Sequence, residues 1–148
     1  MENNSCLTAI TRTKLSAPSK VLLDKGLLKG RVLDFGCGKG FDVEYLSGLG
    51  YNIQGFDPYY QPEKPIGKFD TIICNYVLNV LEPSEWDSVL SDIKELLNNN
   101  GIAYIAVRRD IKEEGYRRHG KGQTYQTNVE LDLDKLCENT KYCIYKLV

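Results

Sequence analysis

The chain has 148 residues, 42% apolar and 26% charged, with ten Tyr, four Phe and one Trp; this size and balance give one globular domain and exclude a disordered or fibrous chain. Its formal charge of −1 supplies no overall field for nucleic acid or an acidic membrane, yet the charge is unevenly placed. Residues 1–31 carry six basic and two acidic groups, 32–107 four and eleven, and 108–148 nine and seven, so an acidic middle lies between two basic flanks. Five cysteines, Cys6, Cys37, Cys74, Cys137 and Cys143, form an odd set with no Cys-x-x-Cys pair. That pattern argues for reduced thiols in the cytoplasm and against a disulfide framework or a zinc site, and no metal is expected. The amino-terminal residues lack the basic start and apolar run of a signal peptide, and no stretch approaches the roughly 20 apolar residues that cross a bilayer, so no membrane partner is expected.

In chain order, Ala17-Pro18-Ser19-Lys20-Val21-Leu22-Leu23 opens a helix with Pro in its first turn, extending towards Leu28. Residues 1–30 read as an arm and helix packed on a core domain of 31–148. Arg31-Val32-Leu33-Asp34-Phe35 is a short apolar run ending at glycines, as a buried parallel strand does. Residues 41–49 form a short helix closed by Gly50, and Tyr51 to Phe56 return as a second strand ending at Asp57-Pro58. Pro58, Pro62 and Pro65 make 58–67 irregular, where a further strand is usual, and Phe69 to Cys74 is the third strand. A helix is expected over 85–98, capped by Ser84 and stopped by Gly101, followed by an apolar strand from Ile102 to Val107. A basic, glycine-containing loop, a short helix at 131–139 and a last strand from Tyr142 to Leu147, antiparallel at or near an edge, complete the chain. Alternating strands and helices give an α/β fold: a single doubly wound, mostly parallel sheet of five or six strands with helices on both faces.

The chemistry concentrates in Asp34-Phe35-Gly36-Cys37-Gly38-Lys39-Gly40. Glycines between a strand and a helix let the chain turn sharply and approach a ligand without Cβ atoms in the way, which implies a nucleotide-like ligand, although a plain glycine turn reads the same in isolation. A dinucleotide wants G-x-G-x-x-G, and Phe41 stands where its third glycine would be, so a nicotinamide cofactor is disfavoured. Asp57 closes the second strand 17 positions beyond Gly40, where a ribose-binding acid belongs, with a simple Asp-Pro turn as the plainer alternative.

Asp-x-Gly-x-Gly-x-Gly after the first strand resembles motif I of the class I, Rossmann-like, S-adenosylmethionine-dependent methyltransferases. The run Phe69-Asp70-Thr71-Ile72-Ile73-Cys74-Asn75-Tyr76-Val77-Leu78, with the helix and glycine-led strand behind it, is similar to the corresponding segment of small members. The resemblance implies S-adenosylmethionine as cofactor, S-adenosylhomocysteine as product, and cofactor contacts from Asp34, Gly36, Cys37, Gly38, Gly40, Asp57, Pro58, Asn75 and Tyr76. A non-catalytic S-adenosylmethionine-binding subunit or sensor of a larger assembly is the alternative reading.

The methyl acceptor is not legible. Asn75-Tyr76-Val77-Leu78 lacks the prolines of the DNA amino-methylating tetrapeptide, and no Cys follows a Pro as in cytosine-C5 enzymes. No catalytic base is assigned, since an in-line displacement needs one only if the acceptor must lose a proton. Arg12, Arg108, Arg109 and Tyr125 are candidate acceptor contacts, because arginines and stacking tyrosines suit nucleic acid or another anionic substrate; His119 in the same stretch is not assigned as catalytic. Segments 8–18, 75–80, 107–110 and 122–126 resemble DNA phosphorothioation-associated methyltransferases, which implies a neighbourhood of DNA modification. A partner protein or a homodimer is a further expectation.

Overall fold

A computed structural model describes residues 5–120 and 122–148. Its six-stranded sheet is built from β1 (Arg31–Phe35), β2 (Asn52–Phe56), β3 (Phe69–Asn75), β4 (Leu97–Arg108), β7 (Asp134–Glu138) and β8 (Tyr142–Leu147), in the order β2-β1-β3-β4-β8-β7. The first four strands are mutually parallel, while β8 runs antiparallel to both β4 and β7. The last strand is thus antiparallel and next to an edge. β2 ends the sheet on the other side, because the proline-bearing segment 58–67 adds only the single Asp57–Gln61 bridge.

Side chains alternate along each strand and divide the core in two. Leu33, Ile72, Cys74, Ile105, Val107 and Tyr145 pack under α3 (Trp86–Glu95), which contributes Ile93, Trp86, Val89 and Leu90. Val32, Ile73, Tyr104, Ala106 and Ile144 face the other way, under Leu22 of α1 (Ala17–Asp24) and Leu46 of α2 (Phe41–Gly48). The fold is therefore doubly wound. No helix among the described residues is long and apolar enough to cross a membrane.

Four local expectations are corrected. Helix α3 ends at Glu95, not 98, because Leu97 already pairs with Phe69 and the Phe69 N–H donates to the Leu96 carbonyl. The residues after it bulge on the edge of β4, where Asn100 takes φ +67° and Gly101 lies against the Asn98 and Phe69 carbonyls, so close that a Cβ would sit 2.9 Å from the former. The helix is entered through a 3₁₀ turn at Pro83–Glu85 with Glu82 and Glu85 in a reciprocal capping box, so Ser84 is not its cap. Residues 131–139 hold strand β7 in place of the expected helix, since the segment pairs antiparallel with β8 and its backbone is satisfied there, with Leu136 and Cys137 packed against the core. The basic segment after β4 is also extended: β5 (Gly115–His119) and β6 (Gly122–Gln126) form a separate antiparallel hairpin, tied by the Tyr116–Tyr125 ring contact at 4.9 Å between centroids.

Candidate active site

A cleft of about 800 Å³ opens over the carboxyl ends of β1, β2, β3 and β4, within the range of small-molecule sites and at the crevice where open α/β sheets bind ligands. Its floor is the glycine loop. Gly36, Gly38 and Gly40 take φ of +86°, +56° and +86°, values that favour glycine. At Gly36 the need is also steric, because a Cβ would fall 2.3 Å from Val77 Cγ2. Most of the loop's N–H groups are already spent inside the protein. Those of Gly36 and Cys37 donate to the Phe56 carbonyl and that of Gly40 to the Cys37 carbonyl, while Gly38 N–H donates to Asp57. The loop therefore offers close approach rather than a ring of free donors.

Asp57 stands at the end of β2 with its carboxylate facing the loop. Oδ2 accepts from Gly38 at 3.1 Å, and Oδ1 from the Tyr59 and Tyr60 N–H groups at 2.9 and 3.0 Å. The Asp-Pro turn and the acid on the cleft wall are thus one structure. Pro58 lines the cleft beside it. Cys37 packs against Gly55, and burial, with Asp34 and Asp57 nearby, pushes its thiol up to about 12; it is a packing residue that stays protonated.

Asp34 is the last residue but one of β1, 3% exposed. No hydrogen bond reaches its carboxylate among the described residues. Burial, reinforced by Asp42, raises it to about 8, against a smaller opposing pull from Arg12. Asn75 ends β3 on the same face, since Asp34 is in register with Ile73 and strand side chains repeat every second residue. Its orientation is fixed by a network not foreseen from the sequence. Ser16 Oγ and Ser19 Oγ both donate to Asp42 Oδ2, so towards Asn75 they can only accept, and Asn75 Nδ2 donates to them at 3.3 and 2.9 Å. Asn75 Oδ1 is left buried without a partner, on a residue of the cleft wall. A buried carboxylate and an orphaned amide oxygen on one wall fit a ligand that carries a cationic donor.

Tyr76 follows with φ +60°, an uncommon conformation for a non-glycine residue that costs about 1–2 kcal/mol. Its N–H bond to the Ala106 carbonyl holds it there, at 2.8 Å, and its ring lies on the cleft wall. Burial, above all, raises its phenol to about 12. Arg12 and Arg108 line the same cleft; Arg109 and Tyr125 do not. Arg109 pairs with Glu138 at 2.5 Å beyond the sheet end, and Tyr125 is engaged with Tyr116. The arm residues Ala9 and Ile10 also line the cleft. His119 sits at the hairpin turn, opposite Gly122. Asn79 is a further residue the sequence did not single out. Buried at 2% exposure, it accepts from Arg108 N–H and donates to the Arg108 and Thr127 carbonyls. No polar pattern in sequence marks it, because its partners are 29 and 48 positions away.

An open sheet with a glycine loop and acids at the ends of its first two strands defines a Rossmann-like protein with its ligand crevice at the strand ends. A family model described as "Methyltransferase domain" matches residues 8–139, and the chain belongs to that family. No curated protein matches it. Among solved structures, a S-adenosylmethionine-dependent methyltransferase from Bacteroides fragilis in complex with S-adenosyl-L-homocysteine is similar at TM-score 0.68 and 12% identity, over 93% of this chain and 78% of that one. The Burkholderia thailandensis 1,6-didemethyltoxoflavin-N1-methyltransferase is similar at TM-score 0.61 and 19% identity, over 88% and 76%. A structure concerned with conversion of a disulfide bond into a thioacetal group during echinomycin biosynthesis gives TM-score 0.57 and 23% identity over 65% of this chain, which spans 50% of that protein.

Proposed function

We propose that the chain is a S-adenosylmethionine-dependent methyltransferase whose cofactor lies over the loop 34–40, and the observation that carries this is the convergence of Gly36, Asp34, Asp57 and Asn75 Oδ1 on one cleft. Gly36, Gly38 and Gly40 give a methionine and ribose portion room to approach the backbone. Asp57, beside Pro58, holds the ribose hydroxyls, its carboxylate kept in place by three backbone donors. Asp34 and Asn75 Oδ1 receive the ammonium end, a cation that satisfies both. Cys37 shapes the loop, and Tyr76 forms the wall between cofactor and acceptor. Bound there, S-adenosylmethionine supplies an electrophilic methyl on a sulfonium. The chain's own task is alignment and exclusion of water, and no side chain is assigned as base.

The acceptor enters over the ends of β3 and β4, past Tyr76, Arg12 and Arg108. Five free cysteines support a cytoplasmic setting.

Calorimetric titration with S-adenosylhomocysteine tests the assignment. Wild type binds, and Asp57→Ala weakens binding at least about tenfold, the scale of losing charge-assisted hydrogen bonds. No binding by wild type overturns it.

A further inference from the structure

We infer that the acceptor is a small molecule with an acidic group, held by Arg12 and Arg108 beside Tyr76; this rests on the methyltransferase reading and adds the substrate class. The ends of three adjacent strands place the parts. Asn75, the residue before Tyr76, is in register with Ala106 on β4, and Arg108, two residues further along, is in register with Tyr142 on β8. Two-residue alternation puts Asn75, Arg108 and Tyr142 on the face covered by α1, where Tyr142 packs. Arg12 reaches the same cleft from the arm that precedes α1.

Both guanidinium groups have unused donors. Arg12 is half-buried and makes no hydrogen bond or ion pair among the described residues. Arg108 bonds Asp110 through Nε alone, at 3.0 Å, leaving its terminal nitrogens to the cleft. Arg108, 41% exposed and joined to Asp110 on one side only, and the half-buried Arg12 thus keep donors free at the cleft, and the planar guanidinium is suited to carboxylate or phosphate. Tyr76 lines the same cleft in its left-handed conformation, near enough for both guanidinium charges to act on its phenol, and backbone strain at a site wall is a feature of ligand clamps. A long polyanion fits less well. Arg117 and Arg118 sit on β5 outside the cleft and, as neighbours on a strand, point to opposite faces, while Arg109 is paired with Glu138. The sequence's basic stretch therefore does not form a continuous track.

The test is calorimetry on the full chain saturated with S-adenosylhomocysteine, titrated with phenyl phosphate, benzoate, phenol and a single-stranded oligonucleotide. Phenyl phosphate or benzoate binds and phenol does not, and the stronger of the two anions identifies the acid. Arg12→Gln and Arg108→Gln each weaken that binding about tenfold or more, Arg108→Gln leaves S-adenosylhomocysteine affinity within about threefold, and Arg109→Gln changes neither. Arg108→Lys keeps the charge and fold yet recovers binding only in part, because the fork is lost. Cofactor binding without anion binding, anion binding indifferent to both arginines, or tight oligonucleotide binding that Arg117→Gln weakens would overturn the inference and leave the proposed function standing. Failure of S-adenosylhomocysteine itself to bind overturns both.

Discussion

At the scale of single residues, Asp34 couples the cleft to pH. Its carboxyl is raised from 3.8 to about 8 by burial first and Asp42 second. Between those values the unfolded chain has lost the proton and the folded chain keeps it, so stability falls as pH rises from about 4 to about 8 and levels off beyond. Melting temperature followed across that window should fall in wild type and stay flat for this group in Asp34→Asn. An arriving ammonium reverses the preference by favouring the carboxylate. Cofactor affinity should therefore rise with pH up to about 8, with proton uptake by the buffer, measured by calorimetry in buffers of different ionisation enthalpy. An affinity independent of pH in wild type would remove Asp34 from the ammonium contact. That Asp34, Gly36, Asp57 and Asn75 line one cleft was legible because each sits near a strand end or in the turn beside it, positions that hydrophobic runs and glycines announce. Arg109 could not be separated from Arg108, since adjacent positions look alike in sequence and only the pairing with Glu138 from β7 distinguishes them.

At the scale of elements, Asn79 fastens three of them. It joins the 3₁₀ turn at Leu78–Val80 to the end of β4 through Arg108, and to the segment after β6 through Thr127, whose N–H also donates to the Asn79 carbonyl. Asn79→Ala leaves a buried N–H and two carbonyls short of a partner, an expected loss of about 2–4 kcal/mol in urea unfolding. Because Arg108 is one of the residues it fixes, the variant should also lose anion affinity while keeping S-adenosylhomocysteine affinity; unchanged unfolding would deny the clip. The parallel strands β1 and β3 were readable because each is largely buried and reads as an apolar run, whereas β2, a half-exposed edge strand, was marked by Gly50 before it and Asp57-Pro58 after it. The errors fell where tertiary pairing overrides local pattern. Leu97 completes a helical stripe with Val89, Leu90 and Ile93 in sequence, but its pairing with Phe69 takes it into β4. Strand β7 alternates weakly, with Asp134, Lys135 and Glu138 on an edge that charge protects.

At the scale of the whole molecule, the arm and the cleft are joined through one buried acid. Asp42, in the first turn of α2, accepts from Ser16 N–H, Ser16 Oγ and Ser19 Oγ, so the start of α1 is moored to α2, and the same serines hold Asn75. Beyond that mooring the arm is held to the glycine loop and its neighbour by exposed contacts, Lys39 Nζ to Thr11 Oγ1 at 3.0 Å and Tyr60 OH to the Cys6 carbonyl at 3.4 Å. Such contacts are weak, so the mooring at Ser16, together with Leu15 in the core and the turn at Ser5–Thr8 against β6, sets where Arg12 stands. Asp42→Ala should cost about 2–4 kcal/mol in urea unfolding and lower Asp34 by removing its negative neighbour, moving the pH profile of cofactor affinity to lower pH. Hydrogen exchange should show the backbone of 9–20 opening faster in the variant and slowing in wild type when S-adenosylhomocysteine binds. If the arm exchanges at the same rate with and without cofactor, and the pH profile does not move in Asp42→Ala, then arm, Asp34 and Asn75 act separately and the cleft is not a coupled unit.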